Sequence, residues 1–147
     1  MRVAMNSDRD DYDELCCYTL TRGDPSFVHQ HVVDAFTAQR ADERTKPIAL
    51  TFALAGLYLH SEKQVSGKQV QRVHMQMAQK KRAWPLFALP PDRGAITAAD
   101  VLAAPSGPER DRAIDAWCNS VWQAFRESRP TVVDLLQECG VLEGGGQ

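Results

Sequence analysis

Three histidines, His29, His60 and His74, fall on three successive predicted helices, each at or beside an apolar surface. Neutral imidazole is the commonest protein metal ligand, and a helical bundle can bring ligands from facing helices into one core site. Three such rings with a carboxylate or a water would suit zinc, iron, nickel or copper. Asp34 is the carboxylate candidate, as a ligand or as the group that orients an imidazole. No H-E-x-x-H or E-x-x-H pair sets the geometry locally. A shared site therefore depends on three separate helices aiming their rings into one pocket. The competing expectation is three independent histidines, each bonded to its own backbone or polar neighbours.

His31 is a weaker candidate. It stands two residues from His29, about 200° round a helix, so the two cannot chelate one ion while the helix stays regular. A local surface hydrogen bond is expected instead, with Asp34 orienting His31 or with Gln30 reaching Asp34. Cys16 precedes the Asp24-Pro25 turn that delivers His29, but nucleophilic Cys–His chemistry needs a thiolate within hydrogen-bond reach of an imidazole. Nothing in the sequence sets that contact, and Cys118 reads as a packing residue on the flank of a core face. Trp84, Trp117, Trp122, Phe87 and Tyr58 are expected in the core, where any of them could line a small apolar pocket. The serines lack a G-x-S-x-G context and no glycine-rich loop could cradle phosphates, which sets aside phosphoryl transfer and dinucleotide binding.

The elements that must position these residues all read as helices. The first is predicted over Asp10 to Leu20, and Asp24-Pro25 opens a second that runs to about Arg40, with Asp as N-cap and Pro at the first helical position. Its apolar face, Val32, Val33 and Phe36, is centred on His29. The third helix, from Thr45-Lys46-Pro47 to about Lys63, is apolar all round and so expected to be central. One strip of it carries only Ala49, Ala53, Gly56 and His60, small residues that would let another helix approach closely with His60 at the end of the contact. Ser66 caps a fourth helix to about Arg82, and Trp84-Pro85 opens a Pro-rich link to Gly94. A short helix spans Ala98 to Ala103. A long one follows from Glu109 to Ser128, with Ala113, Ile114, Trp117, Val121 and Phe125 inward, and a final turn or two runs from Thr131 to Cys139. With no convincing strand, the expected fold is all-α: a compact bundle of five to six helices with irregular Pro-rich links.

The 147 residues suit one domain, expected over 10–140 between a flexible N-terminus (1–9) and a flexible tail (141–147). A chain of this length folds without a disulfide or a metal, so a bound metal would point to function rather than scaffolding. The net charge is −2, and the only compact basic run, Lys80-Lys81-Arg82, closes a predicted helix whose macrodipole it opposes. A nucleic-acid binder would show a larger basic face interleaved with aromatics. No stretch reaches the roughly 18 apolar residues of a membrane span. The acidic N-terminal region is unlike a signal peptide, so the cytoplasm is the expected location. The four cysteines, without a C-x-x-C pair, read as reduced thiols.

The run from Val28 to Gln39 resembles the H-x-x-x-V-D-A-aromatic-x-x-Q segment of a bacterial domain-of-unknown-function family, number 5946. Gly56 to Glu62, Val70 to Met75, Gly94 to Thr97, Asp100 to Leu102 and Trp117 to Trp122 extend the similarity across roughly residues 12 to 126. The resemblance implies a shared helical fold and carries no activity with it. Where the family pattern has His-Pro after the position of Gln39, this chain has Arg40-Ala41, so no ligand stands there. The preferred expectation is a helical metal-binding protein, conceivably an enzyme, with His29, His60, His74 and Asp34 as candidate ligands. Two alternatives stand beside it: a non-catalytic interaction or oligomerisation module, a homo-oligomer or a complex with another protein, packing through Trp84 to Pro91; and a helical protein that binds a small organic molecule, with His29 or Cys16 as polar anchor.

Overall fold

The computed structural model describes residues 8–142. Seven α-helices follow one another within that span: α1 (Asp8–Thr21), α2 (His29–Gln39), α3 (Pro47–Lys63), α4 (Gly67–Ala78), α5 (Ala98–Ala103), α6 (Pro108–Ala124) and α7 (Arg129–Glu138), with one 3-10 turn at Arg126–Ser128. The described residues contain no strand. The class is all-α as expected, with one helix more than the five to six expected. The extra element is the final segment, expected as a turn or two from Thr131 to Cys139, which forms a ten-residue helix, α7, with Pro130 in its first turn. No helix among the described residues is long and apolar enough to cross a membrane. The ends expected to be flexible fall largely outside the described residues. Of those described, Asp8 and Arg9 begin α1, and Val141 and Leu142 are half-buried behind α7.

α3 is the axis of the bundle. Its residues Leu50, Thr51 and Ala53 to Leu59 are all buried, and α2, α4, α6 and α7 pack around it. The strip of small residues does what its spacing implies at Ala53 and Gly56, whereas Ala49 is exposed. α2 lies against it so closely that a Cβ on Gly56 would overlap the Asp34 carboxyl. The inward face of α6 also follows the expected period, with Ile114, Trp117, Cys118, Val121 and Trp122 buried. Thr97 and Asp100 form a reciprocal capping box on α5, which keeps the bounds read from the sequence.

α6 ends at Ala124 rather than near Ser128, and two further boundaries differ from expectation. α2 begins at His29, five residues after Asp24. The Asp24 carboxylate instead wraps a turn, accepting from Ser26 N (2.9 Å), Ser26 Oγ (2.7 Å) and Val28 N (3.0 Å). Phe27 takes a left-handed φ of 58° in that turn, and the Ser26 carbonyl accepts from Lys68 N at the start of α4 (2.9 Å). Gly67 leaves no room for a Cβ against the Phe27 carbonyl. The packing of α4 thus holds the segment out of helix. α4 itself stops at Ala78, so the basic run lies beyond its end. There Arg82 pairs with Glu138 (2.8 Å) and stands over the Trp84 ring.

Candidate functional site

The small strip of α3 has a counterpart on α2. His31, Ala35 and Ala38 recur at i, i+4 and i+7, and all three are buried, so the core face of α2 is centred on His31 rather than on His29. His31, expected at the surface, is only 4% exposed. Its ring stacks on that of His60, with centroids 3.6 Å apart and planes 18° from parallel. α6 completes the junction: Asp115 Oδ1 lies 2.9 Å from His60 Nε2, and the Cys118 thiol donates to the His31 carbonyl (3.5 Å).

Each of the three helices contributes two positions, three or four residues apart, and these form two levels. The outer level holds His31, His60 and Asp115, and opens to solvent through Asp115, whose side chain is 63% exposed against 17% for His60. The inner level holds Asp34, Gly56 and Cys118, with Asp34 2% exposed and Cys118 fully buried. One oxygen of Asp34 accepts from Gln30 Nε2 (3.0 Å), which is one of the two local bonds expected; the other, Oδ2, has no partner. His31 Nδ1 has none either, and neither has the hydroxyl of Ser61, which follows His60 in the chain. These are the buried side-chain polar atoms without a hydrogen bond among the described residues, and two of the three belong to this seam.

Burial governs the protonation here. It lowers the pKa of His31 to about 3, helped by the neighbouring His60 and opposed by Asp115 and Asp24, so the ring is neutral near pH 7. Burial pushes Asp34 well above the usual carboxylate range, and the Gln30 amide only partly offsets this, so the protonated acid is favoured. Burial likewise drives the Cys118 thiol up, with the neighbouring Asp34 and Asp115 adding to it. Asp115 accepts, so the proton on His60 belongs on Nε2 and the ring's lone pair sits on Nδ1.

The other histidines have their own partners. His29 Nδ1 lies 3.0 Å from Thr19 Oγ1 of α1, and the ring meets Phe27 edge-on. His74 Nε2 donates to the Phe52 carbonyl (2.8 Å) and its ring stacks on that of Phe52 (5.0 Å). Burial lowers the pKa of both. Of the four residues expected to share a site, His60 and Asp34 reach the seam, on different levels, whereas His29 and His74 are bonded elsewhere. Among the described residues no three His, Cys, Asp or Glu side chains form a group that could hold a metal ion. Cys16 is half-buried beside Tyr12, with its thiol pKa raised by burial, and the contacts of His29 are to Thr19 and Phe27. Sequence reasoning passed over His31 and Asp115. The first was legible in the small-residue spacing of α2; for the second only its place one turn before Cys118 was available.

Around the seam, polar side chains lock the helices together. Trp117 Nε1 donates to Gln39 Oε1 (3.0 Å), and Gln39 Nε2 donates to the Ile96 carbonyl (2.7 Å). Arg40 is exposed and pairs with Asp8 (2.8 Å). No curated protein and no solved structure matches the chain. A family model described as a family of unknown function (DUF5946) matches residues 9–126, which include every residue of the seam. The chain belongs to that family, DUF5946.

Proposed function

We propose that the α2–α3–α6 seam binds a small polar ligand and exchanges a proton with it, entry being from the Asp115–His60 side. The observation that carries this reading is the pair of unpartnered buried atoms, His31 Nδ1 and Asp34 Oδ2. Leaving such an atom unpaired costs about 1–3 kcal/mol, and buried polar groups are otherwise nearly always bonded. Two of them beside a solvent-facing His–Asp pair suit an occupant that supplies the missing bonds. In this reading His60 is the general base: Asp115 holds its Nε2 proton and leaves Nδ1 to accept one from the ligand or from water. Neutral His31, stacked beneath, places no positive charge against the ring as it gains its proton. Perturbed titration at a polar cluster of this kind is itself a mark of functional sites.

Ligand-observed NMR against a mixture of polar metabolites tests the reading. Compounds retained by the wild type should be lost with His60→Ala and His31→Gln and kept with His74→Gln. A protein that retains none of them, or whose His74→Gln variant loses them equally, excludes the site.

A divalent transition metal is the competing occupant, because imidazole, carboxylate and thiolate are its donors. Two near-parallel stacked rings point their in-plane lone pairs side by side, so one ion could take both only after a ring turns. Elemental analysis of protein purified without a tag distinguishes the two. Stoichiometric zinc, iron, nickel or copper that disappears with His31→Gln would favour the metal; its persistence in His29→Gln and His74→Gln would place it at the seam rather than on the wider set His29, His60, His74 and Asp34.

A further inference from the structure

α3 shares a groove of about 680 Å³ with α4, with α7 and with the chain leaving α7. That volume lies within the usual range for small-molecule sites, about 300–1,000 Å³. Val73 of α4, Val133 of α7 and Leu142 line it, and all three are only partly covered by the fold. An apolar lining left open to solvent is the kind of surface that folding alone would bury.

The polar groups of the groove are few. Among the described residues, Lys63 is its only charged lining residue and no acid lines it. Lys63 makes no ion pair or hydrogen bond with any described residue. The nearby Glu62 is occupied by Arg129 and Trp122. The side-chain amides of Gln69 and Gln137, on different walls, are likewise free of partners among the described residues.

We infer that this groove binds an amphiphile with a carboxylate head, an aliphatic monocarboxylate, its chain along Val73, Val133 and Leu142 and its head at Lys63 with the two amides. The carboxylate is favoured over a cationic or neutral head because, among the described residues, the groove offers one cation and two amide donors and no acid. The inference is independent of the seam, which uses none of these residues.

Decanoate, decanol and decyltrimethylammonium are suitable probes, followed through the methyl signals of the full chain by NMR. Decanoate should shift the methyls of Val73, Val133 and Leu142 saturably, and bind more tightly than decanol, with the ammonium weakest. Lys63→Gln should weaken decanoate about threefold or more, the scale of an exposed ion pair, and leave decanol unchanged. Val73→Glu should abolish binding of decanoate, with far-ultraviolet circular dichroism reporting that the helices persist. Absence of saturable shifts, equal affinity for the acid and the alcohol, or a Lys63→Gln variant that binds decanoate like the wild type would each overturn the assignment. Preferential binding of an amphipathic peptide over decanoate would overturn it in favour of a protein partner.

Discussion

α3 and α6 are joined by polar side chains at two places, and the two are built differently. Toward α7, Glu62 accepts from Trp122 Nε1 (2.7 Å) and forms a two-pronged pair with Arg129 (2.8–2.9 Å), whose guanidinium also stands over the Tyr58 ring. Arg129 holds the Glu62 carboxyl below its usual range, burial opposes this, and the Trp122 bond adds to it. Every group there has a partner. Toward α2, the seam of His31, His60, Asp115, Asp34 and Cys118 has unpaired atoms and titrating groups pushed toward their neutral forms. A satisfied network rigidifies a core, whereas a partly satisfied one weakens it. The first junction therefore reads as structure. The second carries a cost to folding that the first does not.

Acid should produce the largest contrast. His31 has a folded pKa of about 3 against an ordinary 6.5, so between those values the unfolded chain binds more protons. Stability is fully present above pH 6.5 and falls as pH drops toward 3, by up to about 1.4 kcal/mol per pH unit from this group. His29 and His74 shift in the same direction and add to the slope. Urea titrations at several pH values on wild type and His31→Gln check this, and an unchanged slope in the variant would remove His31 from the account. Asp34 acts with the opposite sign: its folded pKa is raised, so its contribution is lost as pH rises above the usual carboxylate range. Asp34→Asn should therefore gain stability relative to wild type at pH 8 more than at pH 5, and equal effects at both would show the acid ionised in the fold.

Next in size is Gly56→Ala. The added methyl collides with the Asp34 carboxyl and should cost about 2–3 kcal/mol, outweighing the roughly 1 kcal/mol that alanine brings to a helix interior. A Gly56→Ala, Asp34→Ala double variant should be less damaged than the two single changes summed. Strict additivity would mean that the close approach does not set the cost.

Breaking the satisfied junction with Glu62→Leu should cost about 1–3 kcal/mol, because it strands the buried Trp122 N–H. Ligand binding at the seam should be untouched, and a loss of binding there would erase the distinction between the two junctions. The smallest effect expected is His74→Gln, about 1 kcal/mol for one bond to the Phe52 carbonyl, read as a shift in denaturation midpoint.

Much of the architecture was legible in residue spacing. The all-round apolar pattern of α3 marked it as central, its small strip marked where another helix would press, and Thr97 and Asp100 marked the start of α5. The site was only half legible. His60 and Asp34 were singled out, but the wheel of α2 was centred on Val32, Val33 and Phe36, which turned His31 outward. The error came from reading large apolar residues as the core face. At a close helix contact the buried residues are the small ones, here Ala35 and Ala38. Asp115, an exposed acid on a long helix, carried no signal of its own.

Helical class, the order of the elements and the faces they bury follow from local periodicity, caps and breakers, which act within a few residues of one another. The tertiary structure alone decided where α2 begins, because the start of α4 presses on the turn before it. It alone decided which imidazoles meet, because a ring's neighbours depend on how helices some 30 and 85 residues apart are rotated against each other, and no local interaction specifies that rotation.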